Sequence, residues 1–202
     1  MIKILDDWLP IDYVDGVEKL FFKNHPDTGV SVINWHLNSY TVDSKYDTYE
    51  QDMRENPHYI DIHQFTHNFY SSEEERSPHI QKIIKILEES KINWTGIDRI
   101  KANYVTNISH FKKNKNVVLP HTDVEKEKYT PNNNFVSMIY YVHNTDGDTL
   151  FFEKDRKTIM KKVSPKKGRA VIFYSNQHHS FEPPVKNDKR VVINFVVEIG
   201  NA

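Results

Sequence analysis

The chain has 202 residues, with 27 Lys and Arg against 28 Asp and Glu, a formal net charge of -1, 38% hydrophobic and 27% charged residues. This balance suits one globular domain with a sizeable core, excludes a disordered chain, and gives no bulk pull toward nucleic acid or anionic lipid. With no cysteine, disulfides, thiolate metal sites and cysteine nucleophiles are excluded.

The first residues, MIKILDDWLP, do not read as a signal peptide. No apolar run reaches the roughly 18 residues of a membrane span, so a cytoplasmic location is expected. Leu9-Pro10 marks a helix entry, after which Val14, Val17, Leu20 and Phe21 recur at helical spacing. Gly29–His36 (GVSVINWH) is rich in β-branched residues and reads as a strand. Thr41–Ser77 is polar and reads as a long, partly ordered excursion of the kind that carries substrate contacts. His79–Ser90 places Ile80, Ile83, Ile84 and Leu87 on one helical face.

Strand-like runs follow at Ile97–Val105, Val117–Asp123, Phe135–His143, Thr149–Glu153, Thr158–Val163, Ala170–Tyr174 and Arg190–Glu198. Turn signals separate them at Asn132-Asn133-Asn134, Asp146-Gly147-Asp148, Pro165–Gly168 and Pro183-Pro184. Many short strands without intervening helices predict an antiparallel sandwich or jelly roll. Lys161-Lys162 and Lys166-Lys167 read as a solvated hairpin edge.

The 11 histidines are the main chemical clue. In VVLPHTD, strand alternation puts Val117, Leu119, His121 and Asp123 on one face, so an imidazole and a carboxylate reach one ion. His-x-Asp alone equally describes a solvated strand end. In RVVINFVVE, Val191, Ile193, Phe195 and Val197 form an apolar face. Arg190 and Asn194 lie on the opposite face, which is either solvent or a barrel interior where the Arg fork binds a carboxylate. Between the two motifs stands His178-His179, whose second member is 58 residues after His121 and 11 before Arg190. Two His and one carboxylate on a β scaffold form the facial arrangement of non-haem Fe(II) oxygenases.

These segments resemble the Fe(II)/2-oxoglutarate dioxygenases, in particular the prolyl-hydroxylase-like branch and its short bacterial and phage relatives. The matching stretches are Pro120–Asp123, Val136–Phe152, Ser164–Ser180 and Lys189–Val197, with a looser likeness at Arg99–Asn103 and Leu9-Pro10. The resemblance implies a mainly β, α+β fold: a double-stranded β-helix with N-terminal helices packed on one sheet. The whole of 1–202 would be one domain, with helical support and a substrate-facing excursion over about 1–95 and the β-helix core over about 96–200. It implies His121, Asp123 and His179 as ligands of Fe(II) and Arg190 on the distal carboxylate of 2-oxoglutarate. Tyr141 sits where relatives bond that same carboxylate, and a core aromatic is its other reading. Asn103, with Tyr104 as rival, would face the cosubstrate, and Asn194 would brace Arg190. The implied reaction uses O2 and 2-oxoglutarate, releases succinate and CO2, and hydroxylates a protein, peptide or small molecule, with peptidyl and prolyl substrates favoured by analogy. Neutral charge argues against nucleic acid as substrate.

Adjacent strand residues face opposite ways, so only one of His178 and His179 ligates, and the family spacing favours His179. His63 and His67 have the i, i+4 spacing of a helical zinc pair but no evident third ligand. His25, His36, His58, His79, His110 and His143 read as surface or core residues. Two alternatives remain: a cupin-type metalloenzyme that does not use 2-oxoglutarate, and a non-enzymatic jelly-roll binding module.

Overall fold

The computed structural model of the chain describes residues 1–41, 49–56, 58–108, 117–124 and 134–200. Strand β1 (Ile2–Leu5) leads into helix α1 (Ile11–Phe22). Then come β2 (His36–Asn38), α2 (Tyr49–Glu55), β3 (Tyr59–Ile60), β4 (Gln64–Ser71), β5 (Glu74–Glu75) and α3 (Ile80–Glu89). Strands complete the chain: β6 (Trp94–Thr106), β7 (Val117–Val118), β8 (Asn134–Tyr141), β9 (Thr149–Phe152), β10 (Ile159–Val163), β11 (Ala170–Tyr174), β12 (His179–Phe181) and β13 (Lys189–Ile199).

The larger sheet is antiparallel, in the order β1-β11-β8-β13-β6-β4-β2, with β5 beside β4. A smaller antiparallel sheet runs β10-β9-β12, and β3 and β7 form a short parallel pair. Period-2 alternation gives the larger sheet two different faces. Its outer face (Ile100, Ala102, Val136, Met138, Val191, Ile193, Phe195, Val197) packs on Val14, Val17, Leu20 and Phe21 of α1 and on Ile80, Ile83, Ile86 and Leu87 of α3. Both helices are amphipathic and reach the sheet with one stripe. Its inner face (Ile139, Tyr141, Val171, Phe173, Val192) meets Phe151 and Val163 of the smaller sheet. The molecule is therefore a jelly-roll sandwich with helices on one outer side, as expected from the sequence. Truncating Ile83, which is fully buried between helix and sheet, would cost about 2–5 kcal/mol.

Several expectations need correction. Gly29–His36 is not a strand. Gly29 adopts φ +66, the chain turns back through His25 N–H to Val30 O (2.8 Å), and sheet pairing begins only at His36. Within that stretch only Ile33 is buried while Val30 is 62% exposed, so there is no half-buried alternation to sustain a strand. The polar Thr41–Ser77 segment is more regular than its composition suggests. It supplies β4, which pairs with β6 through Phe65, Thr66, His67, Asn68, Tyr70 and Ser71. His63 and His67 are consequently not a helical pair. The buried His67 bonds Asn34 O through Nδ1 and Ser77 Oγ through Nε2, and His63 Nδ1 bonds Ser39 O. In Val117–Asp123 the strand ends at Val118. His110 and Asn132-Asn133 lie outside the described residues.

Candidate functional site

His121, Asp123 and His179 offer ligand atoms that all lie within 4.8 Å of one another. Continuous strand alternation does not bring them together. His121 and His179 form an isolated antiparallel bridge, exchanging backbone hydrogen bonds of 3.0 and 2.9 Å, and Asp123 is fixed at a bend by its N–H to Ser175 O. The side chains of Asp123 and His179 are 3% and 5% exposed, with Nε2 of His179 3.6 Å from Oδ2 of Asp123.

The hydrogen bonds around the three groups decide which atoms are left for a ligand. His121 Nδ1 lies against Leu119 O (3.3 Å) and His179 Nδ1 against Gln177 O (3.0 Å). A carbonyl can only accept, so each Nδ1 carries the proton and each Nε2 presents its lone pair. Asp123 Oδ1 accepts from Asn194 Nδ2 (2.7 Å) and Arg99 Nη2 (3.3 Å), while its buried Oδ2 has no partner. A buried carboxylate oxygen without a donor is costly; a metal ion would satisfy it. Burial, then His179, pulls the His121 imidazolium down to about 3, so the ring is neutral as a ligand requires. Burial pushes Asp123 up, but His179, Arg99 and His121 outweigh it and hold the carboxyl at about 2. Neutral N,N with anionic O is a donor set that suits Fe(II).

The triad opens on a cavity of ≈ 510 Å³ between the sheets, a size usual for a small-molecule site. At its other end stands Arg190, 3% exposed. Its Nε donates to Gly147 O (2.9 Å) and its Nη2 to Thr149 Oγ1 (2.9 Å), and its guanidinium stacks 4.6 Å over the Phe181 ring. Gly147 has to be glycine. Its φ is +92, and a Cβ would fall 2.4 Å from Glu182 O and 3.2 Å from Arg190 Cδ. No carboxylate pairs with Arg190 among the described residues. Burial lowers its pKa to about 10, against the pull of Tyr141 and Asp148, so it stays charged at neutral pH. An unpaired buried guanidinium is unfavourable unless an anion completes it.

The sequence-based candidates fall into two groups. His121, Asp123, His179, Arg190, Asn194 and Asn103 all line this cavity, which settles that Arg190 and Asn194 face an interior rather than solvent. Asn103 points inward with an unpartnered Oδ1, whereas the Tyr104 ring packs on Trp35 and Phe65. Asn194 braces Asp123 rather than Arg190. Tyr141 is buried beneath the lining, and its hydroxyl donates to Thr149 Oγ1 (2.6 Å). Half-buried His178 lies outside the cavity lining.

Sequence reasoning missed Thr149, Arg99 and Lys101. Alternation along Thr149–Phe152 puts Thr149 on the face of Phe151, and alternation along β6 puts Arg99, Lys101 and Asn103 on one face. Period-2 reading of those strands was the available signal.

Residues 106–198 match the family model of the 2OG-Fe(II) oxygenase superfamily. Among curated protein sequences none matches. Among solved structures, one similar to the chain is an oxidoreductase of the 2OG-Fe(II) oxygenase family from Burkholderia pseudomallei, with 10% identity, TM-score 0.62, and coverage of 100% of this chain and 87% of that one. HygX from Streptomyces hygroscopicus, with nickel and 2-oxoglutarate bound, aligns at 8% identity and TM-score 0.57 over 98% and 82% of the two chains. A prolyl hydroxylase from Trichoplax adhaerens, in complex with a hypoxia inducible factor oxygen degradation domain peptide fragment, aligns at 12% identity and TM-score 0.50 over 98% and 83%. At these identities the structures speak for a common fold, the double-stranded β-helix.

Proposed function

We propose that the chain, whose residues 106–198 match the 2OG-Fe(II) oxygenase superfamily, hydroxylates an organic substrate, using His121, Asp123 and His179 to hold Fe(II) and Arg190 to anchor 2-oxoglutarate. The family and the His-Asp-His cluster make it a 2-oxoglutarate-dependent dioxygenase with iron and 2-oxoglutarate as its cofactor and cosubstrate. The observation that carries the assignment of residues is the shared cavity: a three-ligand cluster with an orphaned carboxylate oxygen at one end and, at the other, a buried guanidinium that no acid pairs among the described residues.

Iron, when bound, supplies the activation of O2 that couples conversion of 2-oxoglutarate to succinate and CO2 with oxidation of the substrate. The chain's own residues orient and exclude. Arg190 Nη1, free of acceptors among the described residues, and Nη2 face the distal carboxylate. Thr149 Oγ1 already accepts from both Tyr141 and Arg190. Its own proton is therefore free to donate to the same carboxylate. Tyr141 acts through Thr149 as a positioning residue. Asn194 and Arg99 fix Oδ1 of Asp123 so that Oδ2 meets the metal. Ile139, Val192 and Phe181 exclude water from the space between the two anchors.

Asn194 and Arg190 are four residues apart on β13, about 13 Å along the strand, which leaves room for a five-carbon diacid once both side chains reach inward. A peptidyl substrate, with proline as the residue modified, is favoured by analogy with the prolyl-hydroxylase-like branch. The test is succinate release from 2-oxoglutarate by the iron-loaded protein, alone and with panels of peptides and small molecules. The expected result is iron-dependent succinate formation that a true substrate stimulates. Iron binding without any decarboxylation would instead favour a metalloenzyme that does not use 2-oxoglutarate.

A further inference from the structure

We propose that the primary substrate carries an oxyanion, a carboxylate or a phosphate, held beside the metal by Lys101 and Arg99. The inference rests on the reading of the cavity as the Fe(II)/2-oxoglutarate site and deepens it.

Three consecutive inward positions of β6 carry Arg99, Lys101 and Asn103, and all three line the cavity. Polar atoms there are left over. Arg99 commits Nη2 to Asp123, but its buried Nε has no acceptor among the described residues, and Lys101 lines the cavity beside it. Donors sunk in a wall without acceptors are unfavourable, and a ligand oxyanion would satisfy them. Burial, then the neighbouring Arg99, pulls the Lys101 pKa down to about 8, with Asp123 opposing; the ammonium is still mostly charged at neutral pH.

Charge points the same way. The described lining has one acid, Asp123, and three permanent or near-permanent cations, Arg99, Lys101 and Arg190. Adding a divalent metal and a dianionic 2-oxoglutarate leaves the pocket with two positive charges in excess. In a low-dielectric cavity such an excess disfavours a cationic substrate and favours an anionic one.

Position separates this pair from the cosubstrate anchor. Across the β6–β13 ladder Lys101 stands opposite Asn194, the residue that holds Asp123, whereas Arg190 stands opposite Val105. Lys101 is thus level with the metal and away from the distal carboxylate. Next to β6 in the same sheet, β4 and the end of β2 bring Gln64, Asn38, Tyr40 and Thr41 to the cavity, which are uncharged and leave the oxyanion to β6.

The test uses the full chain loaded with Zn(II), which does not turn over, and saturated with 2-oxoglutarate. Calorimetric titrations compare inorganic phosphate, phosphate monoesters, small organic acids and acidic peptides, each organic anion against its amide or other neutral counterpart. An anion is expected to bind where its neutral counterpart does not. Lys101→Met should weaken that binding roughly ten- to a hundred-fold, and Lys101→Arg should restore most of it, with the affinity for 2-oxoglutarate unchanged. Which panel member binds identifies the source of the oxyanion. Equal binding of neutral and anionic partners by the wild type, or no anion binding at all, overturns the proposal whether or not the variants fold. A matching loss of 2-oxoglutarate affinity in Lys101→Met also overturns it, because Lys101 then belongs to the cosubstrate. A wild type that takes up neither metal nor 2-oxoglutarate fails the underlying site assignment, and the proposal falls with it.

Discussion

The two ends of the cavity are built on opposite plans. At the triad, the protein satisfies every atom that should not touch a ligand and leaves bare those that should: both Nδ1 positions are capped by carbonyls, Oδ1 of Asp123 is held twice, and Oδ2 has no partner. At the far end, the protein spends most of Arg190 on itself, through Gly147 O, Thr149 Oγ1 and the Phe181 ring. A metal ion asks for free lone pairs at fixed angles, so the residues around it must stay out of the way. A carboxylate asks for a rigid plane of donors, so the guanidinium is immobilised before the ligand arrives, and little rotamer freedom is lost on binding.

The contrast predicts different losses at each end. The largest should follow Asp123→Ala, which removes the one anionic side chain of the proposed ligand set. Metal content should fall to background and succinate release by roughly a thousand-fold or more, the scale of losing a unit of catalytic machinery. Normal conversion of 2-oxoglutarate by that variant would break the site assignment. Arg190→Met comes next. The KM for 2-oxoglutarate should rise roughly a hundred-fold, on the scale of a lost charge-assisted pair, with metal affinity kept. Because the site is pre-immobilised through Thr149, Thr149→Val should raise the same KM about ten-fold. A KM unmoved by both changes would remove this end from cosubstrate binding.

Asn194→Ala sharpens the comparison from the other side. It frees Oδ1 of Asp123 from its shortest hydrogen bond, and metal affinity should drop roughly ten- to a hundred-fold, the usual cost of losing a partner of a metal ligand. The KM for 2-oxoglutarate, measured at saturating metal, should hardly change. If the KM moves and the metal affinity does not, Asn194 serves the cosubstrate after all.

The sequence made the strand-borne parts of this site legible and obscured the parts made by bends. The apolar alternation of Val191, Ile193, Phe195 and Val197 declared which way β13 faces, and so put Arg190 and Asn194 on the other side. Nothing in that alternation says what covers that side, since a solvated face and a barrel interior look alike in one strand. His121 and Asp123 were placed on one face by an alternation that the chain does not keep. They converge through a backbone bridge to His179 and a bond to Ser175, both more than 50 residues away, contacts that no local pattern encodes. Tyr141 illustrates the same limit. Its position on β8 was readable, but its hydroxyl points to Thr149 because β9 packs across it, and that is a tertiary fact. β4 was hidden because polar Gln64 and His67 are buried while Phe65 is exposed, which runs against the rule that buried positions are apolar.

The smallest effect concerns the turn that delivers β13 to the cavity. Asp146 receives three backbone N–H bonds, from Val185, Lys186 and Asn187, at 2.9–3.0 Å. Together they close the Pro183–Asp188 loop just ahead of Arg190. Burial pushes its carboxyl pKa up, but those hydrogen bonds outweigh it and leave the value below the ordinary one. A lowered folded-state pKa means that the charged form binds the fold. The contribution is therefore fully present above the unfolded value near 3.9 and is lost as pH falls through the lower folded value. Asp146→Ala should cost about 1 kcal/mol at pH 7, read from urea melts, and the gap to the wild type should close as pH drops below about 4. Its metal affinity should equal that of the wild type, because the turn supports the Arg190 end alone. A gap that persists unchanged to pH 3 would mean that the loop is held by packing rather than by the carboxylate.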